Sequence, residues 1–536
     1  MRKRQAPRGS DKDERGAASA AAAAAASLPK QHAVTDPTAS VRSGGVGFIK
    51  VTLVLVLCPA LLLLCLFLLS PTDLHLFPSS SQEHLPSSRP SAPPPASSSP
   101  EAAGSSSPAP LLSPDLFVWW MAPIFSGGGY CSEALSYLVP LHSKVARLRV
   151  SQHGDAFHRD FVFGLPAELR SLLTRLYATP LPSLDDPAAR MVVVCHSEAG
   201  AWYPPRYETS FCPPPVPPEA KANMYRVGRT MFETDRIPDG WAERCNDMDE
   251  IWVPTEFHRR TFAANGVKPE KLHVLPQSVN STFFDPAKAE RDDGKLDELL
   301  LPAASFGAAW KDVDRSAFRF FSSFKWERRK GWDVLLKAYF EEFSKSDSVV
   351  LVLLTNLFHA HPDFSFAKEI ASFISSSSSS SSLQSKVDEG MLPPVIILGQ
   401  HVAQTNLPFL YHNMDAFVLP TRGEGWGRPI VEAMSMALPV IATKWSGPTA
   451  FLTEDNSYPL EIEGLSEVPE GSFKGHKWAE PSVPLLRQLM RRVVENKGER
   501  ELKGQKARQD MVEKFNPEVV SSILEQRLFA IQQSLN

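Results

Sequence analysis

Two carboxylates, Glu424 and Glu432, are separated by seven residues, and the first lies in a glycine-rich turn, RGEGWG at 422–427. Glycines let a backbone bend tightly and approach a ligand closely. Amides at such a turn, joined to the positive end of a helix dipole, suit a phosphate or pyrophosphate. Carboxylates repel phosphate but accept hydrogen bonds from hydroxyls, so a phosphate that also carries sugars is the natural ligand. The elements around the turn fit this placement. Residues 416–419 are a short apolar run followed by breakers, which predicts a buried strand. Pro429 suits the first position of a helix whose apolar face is Ile430, Ala433, Met434 and Ala437. A further strand at 439–443 closes a strand–loop–helix–strand unit of the parallel α/β kind. An ordinary βα turn with one dipole-favoured Glu would leave Glu424 and the three glycines unexplained.

A second candidate group lies upstream. Strand patterns at 117–122, 145–150, 191–195, 224–232, 250–253 and 272–275 alternate with helical ones, which predicts an open parallel sheet. The first strand runs into Ser126 and then Gly127, Gly128 and Gly129, a loop able to approach a ligand, though it does not match G-x-G-x-x-G. His196 follows the strand at 191–195, with Glu198 two positions on. A lone His is more often structural than catalytic, but the carboxyl end of a parallel strand is where α/β sites form. The polar stretch 231–238, MFETDRIP, is either functional or an ion-paired turn.

The acidic pair set between strand-like runs, with Gly-Trp-Gly inside it, resembles the donor-site signature of glycosyltransferase family 4, the glycosyl transferases group 1 domain. The resemblance covers roughly 116–530 and is strongest at 318–450. It implies an α/β chain of GT-B fold, two Rossmann-like doubly wound domains facing a cleft. Residues 115–290 would form the acceptor domain and 315–497 the donor domain, with helices at 498–536 packing back across both. It implies transfer from a nucleotide sugar, UDP- or GDP-linked, with retention of configuration and with neither a metal nor another cofactor. Relatives place an Arg and a Lys on the donor pyrophosphate; Lys325 and Lys330 fit that spacing, with Lys in the usual Arg position. The amides of Gly425, Trp426 and Gly427 would share the diphosphate charge, Glu424 would hold the donor sugar and Glu432 the ribose. His196 would contact the transferring sugar and act with Glu424 and Lys330 in catalysis. Gly127, Gly128 and Gly129 would face the cleft, and the stretch 397–400 would meet the base. The same resemblance puts similar wording to 231–238 in relatives. A solvated basic loop accounts for Arg328 and Arg329 better than for Lys325 and Lys330. Two D-x-D triplets, at 247–249 and 312–314, are not placed like a metal-binding motif and read as solvated acidic positions. A non-catalytic sugar-nucleotide-binding or scaffold protein on the same fold is the main rival, opposed by the presence of both acidic and both basic positions. A phosphorylase or a sugar-nucleotide epimerase is a further alternative.

Composition fixes the setting. The chain has 536 residues, a net charge of -4 and a pI near 6.4, which gives no footing for nucleic-acid binding. The six cysteines show no zinc-ligand spacing. Residues 1–46 read as a disordered tail, basic at first and then Ala-rich. An uncharged apolar run of 19 residues at 51–69, within a span placed at 47–70, is long enough to cross a bilayer. Basic residues precede it and acidic ones follow, so a cytosolic N-terminus and a luminal remainder are expected, with the span uncleaved. Residues 71–114 form a Pro/Ser-rich stem. This layout resembles that of resident Golgi glycosyltransferases of type II topology, with the endoplasmic reticulum as the alternative. Cys131, Cys195, Cys212 and Cys245 would be luminal; Cys195, in a core strand, reads as a small buried hydrophobe and the pairing stays open. The sequon at Asn280 would crowd the cleft if glycosylated. Residues 287–315 read as an inter-domain connection, and 375–382 as a low-complexity serine loop.

Overall fold

The structure, a computed structural model, describes residues 112–183, 190–216, 223–301, 303–357, 364–377, 381–399 and 402–535. The expected tail and span, and all but the last residues of the expected stem, lie outside the described residues. Among those described, no helix is long and apolar enough to cross a membrane.

The first sheet contains β1 Phe117–Ala122, β2 Arg147–Gln152, β3 Met191–His196, β4 Met224–Arg229, β5 Glu250–Val253 and β6 Leu272–Val274. All its pairings are parallel, in the order β2-β1-β3-β4-β5-β6. β1 and β3 are buried at every position, so their near-continuous apolar runs are what a sheet covered on both faces requires. β2 starts and ends two residues later than its pattern indicates, because Val145 ends the preceding turn rather than entering the ladder. β4 ends at Arg229, three residues short of the expected end. From Thr230 the chain leaves the sheet to meet the second domain.

The second sheet has the order β13-β12-β11-β8-β9-β10-β7. Its strands are β7 Ala304–Phe306, β8 Phe318–Lys325, β9 Val349–Asn356, β10 Val395–Leu398, β11 Ala416–Leu419, β12 Val440–Thr443 and β13 Tyr458–Leu460. All pair in parallel except β7, which runs antiparallel to β10. The expected connection at 287–315 therefore supplies an edge strand. A hairpin of β14 Ile462–Glu467 and β15 Lys477–Pro481 adds a separate antiparallel pair. Part of the expected serine loop is helical: helices Phe366–Ser377 and Ser381–Asp388 take up its ends.

Strand order reverses at β1 and β3 in the first sheet and at β8 and β11 in the second. The loops leaving the carboxyl ends of those strands mark the crevice where open α/β sheets usually hold a ligand. Four helices flank this crevice or brace the domains that form it: α1 Gly129–Leu141, α2 Trp332–Glu342, α3 Arg428–Ser435 and α4 Pro517–Leu535. α4 lies against the first domain, where Glu525 accepts from Lys144 at 2.9 Å and Gln532 from the Ser113 amide at 2.8 Å.

Candidate active site

At the reversal point of the second sheet, the loop after β8 meets the loop after β11. Lys330 ends the first loop and Glu424 lies in the second, and Lys330 Nζ donates to both Glu424 oxygens at 2.7 and 2.8 Å. Their side chains are only 15% and 8% exposed. Gly331, at φ +70°, lets the chain turn from Lys330 into α2 where a Cβ would strike the Pro420 carbonyl. The Glu424 backbone is clamped by Ser446, whose Oγ accepts from the Glu424 amide at 2.9 Å and donates to its carbonyl at 2.7 Å. Ser446 holds φ +57° to do this, an unusual conformation for a residue with a Cβ. Burial would raise the Glu424 pKa, but the adjoining charges of Lys330 and Arg329 hold it below the ordinary carboxylate range.

Arg329 stands beside the Lys330–Glu424 pair, which corrects its reading as part of a solvated basic loop. Lys325 is exposed at the end of β8. Arg329 Nη1 donates to the Gly423 carbonyl at 2.7 Å and lies 3.9 Å from Glu424, while Nε lies 3.0 Å from Glu233 of the first domain. The sequence separates these groups by almost a hundred residues, so only its basic character was visible, not its partners. Arg422 holds the same loop from behind, fully buried, with paired bonds to Asp333 (2.7 and 2.8 Å) and to Glu480 (3.0 and 3.2 Å).

Gly427, at φ +103°, precedes α3, and Pro429 occupies its first turn. α3 buries Ile430, Ala433 and Met434 as expected, but Ala437 lies beyond its end at φ +58° and is not part of that face. The amides of Gly423 and Glu424 are taken by Thr421 Oγ1 and Ser446 Oγ. Among the described residues those of Gly425 and Trp426 have no such partner, so they are available to an anion at this helix start. The Trp426 side chain does not face the cleft; it is buried edge-on to Phe451 and Phe515, at 5.2 and 5.6 Å, so only its backbone belongs to the site. Glu432 accepts from Tyr411 at 3.1 Å. Burial raises its pKa, offset in part by Arg428 and Tyr411. Arg428, not anticipated from the sequence, stands 4.0 Å from Glu432 and has a buried Nη1 without a partner among the described residues.

The glycines of this loop serve a second purpose. A Cβ on Gly423 would lie 2.5 Å from the Glu233 carbonyl oxygen, and one on Gly425 2.5 Å from Met231 Sδ. The stretch 231–233 of the first domain is thus pressed against the loop, which could hold no side chain at either position without moving it.

In the first domain the expected site residues lie close together but are arranged differently. His196 is fully buried, with Nδ1 accepting from Trp120 Nε1 at 3.1 Å and Nε2 donating to Glu133 at 3.0 Å. Both nitrogens are engaged and the ring has no exposed surface. Burial lowers its pKa and keeps it neutral, with the proton on Nε2. Glu133 also binds Arg229, whose Nη1 donates to the Leu275 carbonyl at 2.8 Å, so the cluster ties α1 to β3, β4 and the end of β6. Gly127 takes φ +74° against the Phe161 ring, and Gly128 lies beside the Asp155 carboxylate, where a Cβ would sit 3.3 Å away. Cys195 is joined to Cys212 in a disulfide, which corrects its reading as an isolated hydrophobe; Cys131 and Cys245 are buried thiols. Of the D-x-D triplets, Asp249 chelates Arg226 at 2.6 to 3.0 Å and Asp314 accepts from Ser316 and Ser348. Asn280 is exposed, with its Oδ1 accepting from the Phe283 amide at 3.0 Å.

Comparison with known proteins agrees with this architecture. Residues 315–464 match the family model described as Glycosyl transferases group 1. The lipopolysaccharide core biosynthesis mannosyltransferase LpsB of Rhizobium meliloti (strain 1021) is 41% identical over 54 residues, which span 10% of this chain and 14% of that protein's length. Among solved structures, Anabaena Alr3699/HepE in complex with UDP and glucose superposes with a TM-score of 0.51 at 14% identity, over 77% of this chain and 99% of its own. A glycosyltransferase from Rickettsia africae ESF-5 gives 0.52 at 16% identity, over 78% and 98%. The chain therefore has the GT-B fold, and its second domain carries the glycosyl transferases group 1 signature.

Proposed function

We propose that this protein is a retaining glycosyltransferase that takes a sugar from a UDP- or GDP-linked donor held by the second domain and passes it to an acceptor on the first. The observation that carries this reading is the Lys330–Glu424 pair at the reversal point of the second sheet, beside available amides and Glu432. Departure of a nucleoside diphosphate builds negative charge on the β-phosphate. Lys325, Lys330 and the amides at 425–427 would meet that charge, a role that in other enzymes falls to a metal ion. Donor binding would draw Lys330 from Glu424 to phosphate and leave Glu424 to accept from the donor-sugar hydroxyls. Glu432 would accept from the ribose. A preorganised donor of this kind is worth about 3 kcal/mol of barrier. The HepE structures in complex with UDP and UDP-glucose support a nucleotide sugar as the donor class, and the mannosyltransferase relative supports glycosyl transfer.

The run at 51–69 would anchor the protein as a single-pass type II membrane protein of the Golgi, with the described domains in the lumen. Protease protection of the full chain in sealed vesicles tests this: digestion without detergent overturns it. A panel of UDP- and GDP-sugars, screened by thermal shift and then by donor hydrolysis, tests the activity. Hydrolysis of one donor that falls in Lys330→Ala is the expected result. No binding and no hydrolysis across the panel, or a wild-type rate in Lys330→Ala, would overturn the reading.

A further inference from the structure

The stretch 231–236 has no part in the reaction just described, yet it is fastened on two sides. On one side Met231 and Glu233 press against Gly425 and Gly423, and Glu233 binds Arg329 at 3.0 Å. On the other, the hairpin of the second domain grips it. The Asp235 amide donates to the Lys477 carbonyl at 2.8 Å, and the Lys477 amide to Asp235 Oδ1 at 2.6 Å. Thr234 Oγ1 lies 2.9 Å from His476 Nδ1, and Phe232 meets Phe473 edge-on at 4.9 Å. First-domain backbone is thereby held inside the second domain, one residue from the carboxylate that would hold the donor sugar.

We propose that Arg329 and Glu233 are positioning residues that make assembly of the donor site conditional on closure of the two domains. The inference rests on the donor site assigned above. With the domains together, the Arg329 fork is divided between the Gly423 carbonyl and Glu233, and Glu424 belongs to Lys330. With the domains apart, Glu233 leaves. Arg329 then faces the carboxylates remaining to it, Glu327 at 3.4 Å and Glu424 at 3.9 Å, and competes with Lys330 for Glu424. The loop that offers its amides to phosphate loses at once its lateral support from 231–233 and the firm hold of the Arg329 guanidinium on its Gly423 carbonyl. A guanidinium can serve Gly423 and Glu233 together because its donors are fixed in a fork; a lysine at 329 would serve one at a time. Neither residue needs to touch the donor for this. Glu233 acts through Arg329, and Arg329 acts through Glu424 and the Gly423 carbonyl.

Hydrogen–deuterium exchange on the ligand-free full chain reads the loop directly and needs no knowledge of substrate. Glu233→Gln should raise exchange at 423–427 by about tenfold, the usual size of coupling between linked sites. Arg329→Lys should do the same, and the double variant should be no worse than either single one, because both remove one interaction. Gly423→Ala provides a second route, since its Cβ pushes the Glu233 backbone away while both charges stay in place, and it should give the same exchange pattern. UDP and GDP binding, measured by calorimetry on the same proteins, should weaken about tenfold in Glu233→Gln for whichever nucleotide the wild type binds, with the thermal midpoint unchanged. Rescue of a purely structural defect would not produce that split. Wild-type exchange at 423–427 in both Glu233→Gln and Gly423→Ala would overturn the proposal. If the exchange responds but the wild type binds neither nucleotide, the coupling stands and the donor reading of the site falls.

Discussion

Each domain carries a buried carboxylate joined to an arginine and one further basic side chain near the carboxyl edge of its sheet, and the two clusters have opposite characters. In the first domain Glu133, Arg229 and His196 are sealed: the two ionised groups and the ring have 0–1% exposure, and all their bonds stay within that domain. In the second, Glu424, Lys330 and Arg329 keep 8–23% exposure and extend to Glu233 of the other domain. Burial by itself therefore does not mark a site. A sealed cluster has spent its hydrogen-bonding capacity on holding strands together, and a ligand could reach it only by unfolding it. The partly open cluster, bordered by amides without partners among the described residues, can exchange one partner for another.

The comparison can be broken first at its sealed end. Glu133→Ala leaves Arg229 charged, buried and without its carboxylate, and should cost about 3–5 kcal/mol in urea-induced unfolding. A loss no larger than that of an average surface substitution would show that the cluster is not structural. Next in size, Lys330→Ala should lower turnover about a hundredfold while leaving the urea midpoint nearly unchanged, the reverse pattern to Glu133→Ala. Acid sharpens the contrast further. Burial alone would raise the Glu133 pKa, but Arg229 and His196 pull it from 4.5 down to about 2. A depressed folded-state pKa gives stability that is fully present above pH 4.5 and is lost as the pH falls towards about 2. Glu133→Gln should flatten the stability profile in that window, whereas Glu424→Gln, in the more open cluster, should flatten it less. The smallest effect is expected at Glu432, whose pKa is raised by burial. The wild type then loses stability as the pH rises through that value, so Glu432→Gln should gain slightly at neutral pH. The same variant should weaken binding of UDP or GDP, whichever binds, by about tenfold, through loss of one charged acceptor. Calorimetry and thermal unfolding on one preparation would check both signs.

Much of this was legible from residue order. The acidic spacing, the glycines and Pro429 describe a local event, a strand turning into a helix, and local events are written in neighbouring residues. β1, β5 and β11 have the bounds their apolar runs predict, because a strand buried on both faces needs a continuous run and little else. What residue order left open shares a cause. His196 and Glu198 end a strand as a functional pair would, but whether that strand end opens to the cleft depends on Glu133, 63 positions earlier, and on Trp120. Arg329 and Lys325 are both basic and both near Lys330. Which one meets Glu424 depends on how the loop folds around the αL turn at Gly331. Trp426 lies between two glycines in the loop, and its ring goes into the core only because Phe451 and Phe515 stand beside it in space.

The sequence by itself determined the alternation of strands and helices, the glycine-rich turn at 422–427 and the two carboxylates on either side of it, because backbone geometry and apolar periodicity act over a few residues. Only the tertiary structure decided which charges meet. Electrostatic and hydrogen-bond partners are chosen by distance in space, and β8 and β11 became neighbours through a sheet order that skips β9 and β10. The placement of Glu233 beside Arg329 is of the same kind: it exists only where the loops of the two sheets touch.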